Sequence, residues 1–205
     1  MTTTSELPPG AFDKQDAGDD LEFYAPPRLV THIDEGAVAA LTAFYAEHVP
    51  ADGTVLDLMS SWVSHLPKDF AGTVIGHGMN MEELAANPQL SRRFVQDLNR
   101  DAVLPLEDDS LDAALCCVGV QYLQDAVTVF AQVARALRPG GPLIVSFSNR
   151  CFPTKAVAIW RALDTNGHAA LVRLYMEQAG LRAVDAHVLA NGSRSDPLVA
   201  LVGRN

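Results

Sequence analysis

The chain has 205 residues, enough for one domain with a full core, and 25 acidic against 15 basic residues give it a formal net charge of −10. Carboxylates crowd "DKQDAGDDLE" and "LPLEDDSLD" while the basic residues scatter, so there is no basic run to serve as a nucleic-acid face, and a small or neutral substrate fits better. No apolar run reaches the roughly 20 residues that a membrane span needs.

The N-terminus, "MTTTSELPPGAFDKQDAGDD", is polar, lacks a signal-peptide core and reads as a flexible arm over residues 1–20. Residues 21–205 read as a single domain, with 21–50 forming an N-terminal lid and helix. Pro26 and Pro27 keep the start of "LEFYAPPRLVTHID" extended. Val38, Leu41, Phe44, Tyr45 and Val49 recur at helical spacing, and "PADG" ends that helix.

Apolar strands then alternate with helices. "TVLDL" is the first strand and "GTVIGHG" the second. Asn80 and Glu83 provide an N-cap and capping-box partner for a helix through "MEELAAN". "RRFVQDL" holds a short third strand, and the apolar "LDAALCCVGV" is a fourth, buried on both faces. "QDAVTVFAQVARALR" is an amphipathic helix stopped by "PGG", and "PLIVSFS" is the fifth strand. Helices follow in "TKAVAIWRALD" and "AALVRLYMEQAG". "LRAVDAHVLA", "NGSRSD" and "PLVALVG" form a closing hairpin. The expected fold is α/β, a Rossmann-like three-layer sandwich whose seven-stranded, mostly parallel sheet ends in an antiparallel C-terminal hairpin.

Cys116, Cys117 and Cys151 have no CxxC spacing, and the six histidines show no paired ligand spacing. These features place the chain in a reducing cytoplasm and predict no metal. Cys116 and Cys117 read as small buried hydrophobes. Asp57 ends a buried strand where it serves a ligand or braces the following loop. Ser60 and Ser61 stand where a helix is expected to begin, as a cap or as a carboxylate site. Trp62 either walls a pocket or packs in the core.

The order of these segments resembles the class I S-adenosylmethionine-dependent methyltransferases, over about Phe23 to Asn205. "VLDL", "TVIGHGMNMEEL", "FVQDLNRDAVLPLEDDSLDAAL" and "VFAQVARALRPGGPLIVSF" carry it, the last most closely. The resemblance implies that S-adenosylmethionine is the cofactor, with Asp57, Met59, Ser60, Ser61, Gly78, Asn80, Met81, Asp97, Leu98 and Gly119 around it. Asn80 caps its helix in any case and is a weaker ribose ligand than a carboxylate. Met81 lies on an adenine face or in the core. Asp97 contacts adenine, with the Leu98 amide beside it, or caps a turn. Gly119 lets a ligand come close. Gln121 and Tyr122 stand at the pocket rim, and Asn149 and Arg150 orient a substrate. Tyr24, Arg28 and His32 belong to a segment that closes over the site. Arg28 and Trp62 are substrate contacts, and Tyr24 and His32 are catalytic candidates with His32 a possible base. His65 sits in a packed turn.

Two departures stand out. Met59, Ser61 and Val63 replace the family's G-x-G-x-G glycines, and Gly78 replaces its ribose-binding acid. Methyl transfer to a small molecule is therefore weighed against a non-catalytic protein that binds S-adenosylmethionine or another nucleotide-like ligand on the same fold.

Overall fold

The computed structural model describes residues 3–205. Seven strands form one sheet in the order β3-β2-β1-β4-β5-β7-β6. They are β1 (Thr54–Leu58), β2 (Thr73–Gly78), β3 (Arg92–Val95), β4 (Ala113–Cys117), β5 (Pro142–Ser148), β6 (Arg182–Ala190) and β7 (Leu198–Arg204). The first five run parallel, and β7 pairs antiparallel with both β5 and β6. The expected fold class, including the reversed hairpin, is what the chain adopts.

Among the helices are α1 (Asp20–Tyr24), α2 (Glu35–His48), α3 (Met81–Ala86), α4 (Ala126–Ala136), α5 (Ala158–Ala162) and α6 (Thr165–Gln178). Asp34, Asn80, Asp125 and Asp164 cap α2, α3, α4 and α6 through their side chains, which is why these helices start where they do. On one sheet face α2 buries Ala37, Leu41, Phe44 and Tyr45 in a cluster with Val55, Leu115 and Ile144. On the other, Val129, Phe130 and Val133 of α4 and Val172, Tyr175 and Met176 of α6 meet Leu56, Ala114 and Val145. The alternation of inward faces along β1, β4 and β5 thus supplies both cores.

The segment between β1 and β2 differs from expectation. Met59–Gly72 contains no helix, so Ser60 and Ser61 cap nothing. Instead Leu66 drops into the α2-side core. His65 adopts φ 57° and its carbonyl accepts from Thr42 Oγ1 at 2.9 Å, so the turn around it is packed as the sequence indicates. With Pro67 close behind and no apolar face at helical spacing, a helix here has little to bury.

The N-terminal segment makes backbone contacts with the body of the domain. Of the expected arm, Met1 and Thr2 lie outside the described residues; of the others Ala11 and Asp20 are buried, and several backbone groups are bonded. Ala158 N–H donates to the Asp13 carbonyl at 2.9 Å, Ile159 N–H to the Ala11 carbonyl at 2.8 Å, and Asp16 N–H to the Thr154 carbonyl at 2.9 Å. The arm is held by backbone bonds to the chain around α5, which its polar composition does not reveal. No helix among the described residues is long and apolar enough to cross a membrane.

Candidate functional site

A cavity of about 290 Å³ opens at the carboxyl ends of β1, β2 and β4, where the strand order reverses. This is the position at which open α/β sheets bind ligands. Met59, Ser60, Ser61, Gly78, Asp97, Leu98, Gly119, Tyr122, Arg150, Tyr24 and His32 all line it, as do Met79 and Phe152. Met59 (φ 58°) and Val118 (φ 45°) also line it in the left-handed region, which is an outlier for a β-branched valine. Such strain collects at ligand sites.

The loop after β1 turns across β2 and is fastened there. Ser60 N–H donates to the His77 carbonyl at 2.6 Å, and Met59 N–H donates to His77 Nδ1 at 3.1 Å. Nδ1 is therefore the unprotonated nitrogen, and Nε2–H donates to the Gln96 carbonyl at 2.9 Å. Burial lowers the His77 pKa to about 4, against a smaller upward pull from the Gln96 carbonyl, so the ring is neutral. This histidine ties β1's loop through β2 to the chain leaving β3. The sequence reading passed over it, although a polar residue inside the apolar run "TVIGHG" was the available signal. Replacing it in His77→Ala leaves Met59 N–H and the Gln96 carbonyl without this partner. The expected loss is about 2 kcal/mol in urea unfolding, with weaker ligand binding in the cavity by calorimetry.

The same turn explains Gly78. A Cβ on Gly78 would stand 2.5 Å from the Ser60 carbonyl oxygen. The missing ribose acid and the missing glycine loop are thus one change, because the loop backbone occupies the space an acid would need. Gly119 is required from the opposite side, since its Cβ would meet Met59 Cβ at 2.9 Å.

Asp57 lies beneath the cavity and does not line it. Burial raises its pKa to about 6, against the Ser60 and Ser64 hydroxyls, which pull it down. Ser60 Oγ donates to it at 2.5 Å. It is therefore a brace for the loop. A raised carboxyl pKa means the native state binds the proton more tightly. Stability is thus retained at low pH and lost as pH rises from about 4 to about 6. Relative to the parent chain, Asp57→Asn is expected to be more stable by roughly 2 kcal/mol at pH 8 and to lose that margin by pH 4. The measurement is the difference in urea unfolding between the two proteins at each pH. His65 and His77, both lowered to about 4 by burial, shift the absolute profile the other way in that window.

The N-terminus of α3 gathers the segment between α1 and α2. Asn80 Oδ1 accepts from Glu82 N–H and Glu83 N–H, and its Nδ2 donates to the Tyr24 and Ala25 carbonyls, each at 2.9 Å. Its amide is spent on the cap and that segment and does not reach the cavity. Glu83 does not close a capping box. It accepts from Ser61 Oγ at 2.6 Å and from Arg28 N–H at 2.6 Å, joining the altered loop to that segment.

Other expected residues fall elsewhere. Met81 is half exposed and faces away, and Met79 takes the place beside the cavity. Trp62 lies outside it and donates Nε1–H to the Val30 carbonyl at 2.9 Å. Gln121 is buried and donates to the Val118 carbonyl at 2.7 Å. Asn149 is exposed and accepts from Ser148 Oγ at 3.2 Å. The Arg28 guanidinium donates to the Phe23 carbonyl at 2.9 Å and stacks on the Phe23 ring at 4.8 Å, outside the cavity wall. For Trp62, Gln121 and Arg28 a backbone carbonyl satisfies the polar group first. Asp97 lines the cavity, but its Oδ1 accepts from Asn99 N–H at 3.0 Å and its Oδ2 lies 3.3 Å from Arg100 Nε, as a turn-capping acid does.

On the side of the segment between α1 and α2, Tyr122 Oη accepts from Phe152 N–H at 2.8 Å, and burial pushes its pKa up to about 12. Burial raises the Tyr24 pKa as well. His32 keeps an exposed edge. Desolvation lowers its pKa, Glu83 opposes this and Arg28 adds to it, so a neutral imidazole faces the cavity at neutral pH. Burial pushes the Cys117 thiol up to about 12 and Cys116 higher still, so neither is a thiolate nucleophile.

The topology, the reversed hairpin and the switch-point cavity together define the fold of class I S-adenosylmethionine-dependent methyltransferases. Residues 53–145 match the family model described as a methyltransferase domain. A methyltransferase from Archaeoglobus fulgidus superposes with TM-score 0.63 at 13% identity, over 82% of this chain and 93% of that one. A possible histamine N-methyltransferase from Thermotoga maritima gives 0.61 at 16%, over 82% and 89%. Phosphoethanolamine N-methyltransferase 2 of Haemonchus contortus, in complex with S-adenosyl-L-methionine, gives 0.58 at 12%. This chain covers 52% of that longer protein. Curated protein sequences gave no match.

Proposed function

We propose that the cavity binds S-adenosylmethionine and that the protein transfers its methyl group to a small-molecule acceptor. The observation that carries this reading is the open space between Asp97–Leu98 on one side and Gly119 on the other, which persists although the loop after β1 has shifted. Leu98 and Met79 suit a flat adenine. Gly119 admits the thioether end without a Cβ in the way. On the ribose side the Ser60 carbonyl, standing where an acid would begin, accepts a hydroxyl in its place. The sulfonium supplies the driving force when bound, so the protein's task is alignment and exclusion of water. His32, neutral and lining the cavity with Tyr24, takes the acceptor's proton in this reading.

Isothermal titration with S-adenosylhomocysteine tests the reading. Micromolar binding at one site supports it, and no heat at millimolar ligand overturns it. A binding protein without turnover is the second reading. It is favoured by one observation: the Ser60 and Ser61 hydroxyls are held by Asp57 and Glu83 rather than free for the methionine carboxylate. Tight binding of S-adenosylmethionine with no methylated product across an acceptor panel would select it.

A further inference from the structure

Phe152, in the loop after β5, is the centre of an aromatic group on the side of the cavity nearest the segment between α1 and α2. Its ring centroid lies 5.5 Å from Phe23, 5.8 Å from His32, 6.1 Å from Tyr122 and 6.3 Å from Tyr24. The Phe23, Tyr24 and His32 rings meet it edge to face. Its backbone N–H is pinned by Tyr122 Oη. Tyr24, His32, Tyr122 and Phe152 all line the cavity. Such a group offers ring faces and edges, a surface that suits either a planar aromatic guest or an organic cation.

Charge decides between the two. Two cations of the chain itself already sit behind the cavity wall, against the outer rings of this group. The Arg28 guanidinium lies 4.8 Å from the Phe23 centroid and 5.6 Å from that of Phe152, and the Lys155 ammonium lies 5.1 Å from Phe23. The two carboxylates lining the cavity are both engaged, Asp20 by Lys14 and Lys155 and Asp97 by Arg100. Arg150 at the rim adds a third positive group, paired with Asp196 at 3.0 Å. An incoming ammonium would face the positive charge of Arg28 and Lys155 behind the rings and find no free carboxylate among the described lining residues. We infer that this aromatic compartment is the acceptor site of the proposed methyltransferase and that it takes a flat aromatic ring without positive charge, of the phenol class, rather than a cationic amine. The inference rests on the methyltransferase reading and adds the acceptor class to it.

The test uses the full-length protein with two ring probes, 2-naphthol and the N,N,N-trimethylanilinium cation, titrated by calorimetry with S-adenosylhomocysteine present. The expected result is 2-naphthol binding that is roughly tenfold tighter than that of the cation and weakened roughly tenfold by Phe152→Ala. Arg28→Gln is expected to narrow the gap by strengthening the cation's binding, an effect that mere loss of packing does not produce. Because Phe152→Ala removes packing, near-UV circular dichroism must show it folded, and Phe152→Tyr, which keeps the ring, is expected to restore naphthol binding. Equal or tighter binding of the cation overturns the inference, as does naphthol binding that a folded Phe152→Ala leaves unchanged. Absence of naphthol binding while S-adenosylhomocysteine binds overturns it too and leaves the methyltransferase reading standing. Failure of S-adenosylhomocysteine to bind removes that reading, and the acceptor assignment with it.

Discussion

Gly78→Asp, which places at the end of the second strand the acid that the family resemblance implies there, is expected to destabilise the protein by about 4 kcal/mol and to abolish S-adenosylhomocysteine binding. On sequence grounds alone the opposite is expected, because an acid there holds both ribose hydroxyls. The difference is steric and electrostatic. The Cβ alone would stand 2.5 Å from the Ser60 carbonyl oxygen and 3.1 Å from Leu84 Cδ2. The carbonyl cannot yield freely, because Ser60 N–H and Met59 N–H are both bound to His77. The new carboxylate would also point at a carbonyl oxygen, an acceptor facing an acceptor. Urea unfolding and calorimetry on the variant check both parts. A Gly78→Asp protein that is as stable as the parent and binds the cofactor more tightly would show that the loop swings clear of β2, and the account of the altered loop given above would fall.

The second large effect is expected from Lys155→Met. The Lys155 side chain is 1% exposed, and its ammonium lies 3.0 Å from Asp20 Oδ1, 3.1 Å from Asp16 Oδ2 and 2.9 Å from the Gly18 carbonyl. Desolvation pulls its pKa down, but Asp20 and Asp16 pull harder and the net shift is upward, so the amine stays charged. Asp20 shows the same balance from the other side: burial raises its pKa, and the bonds from Lys14 and Lys155 more than reverse it. Methionine keeps the stem and deletes the charge, leaving buried Asp20 with Lys14 and Asn99 alone. Because Lys14 and Asn99 still compensate Asp20, the expected cost is that of the lost charged bonds, about 3 kcal/mol. Because Lys155 anchors residues 16–20 and the segment leading to α2 follows directly, limited proteolysis is expected to cut between residues 16 and 34 in the variant and not in the parent. An unchanged unfolding midpoint together with an unchanged digestion pattern would refute the anchoring role.

Much of the architecture was legible because it depends on local signals. Strands β1, β4 and β5 announce themselves as short apolar runs, α4 by its amphipathic repeat and its "PGG" stop, and the terminal hairpin by "NGSRSD" between two β-rich runs. Asn80 and Asp97 were legible as a cap and a turn acid for the same reason, since each bonds backbone within three residues of itself. The site was only partly legible. Tyr24, His32, Ser60, Ser61, Gly119, Tyr122 and Arg150 reach the cavity. Met81, Trp62, Gln121, Asn149, Arg28 and Asn80 do not, Glu83 bonds Ser61 and Arg28 in place of the expected capping box, and the sequence does not single out His77, Phe152 or Lys155.

The sequence by itself determined the order of elements, the parallel sheet with its reversed last strand, and hence the strand ends where a ligand site must lie. Only the tertiary structure decided what became of the "MSSW" loop. Its course is set by two bonds to His77, eighteen and seventeen residues on, one of them to a backbone carbonyl that every residue type carries. The segment between α1 and α2 likewise hangs on backbone carbonyls of Tyr24 and Ala25 and on the N–H of Arg28. Such contacts leave no residue pattern to read, because a peptide group offers the same donor and acceptor whatever side chain it bears. The side chains that meet them, Asn80, Glu83 and His77, show their purpose only when distant segments have come together.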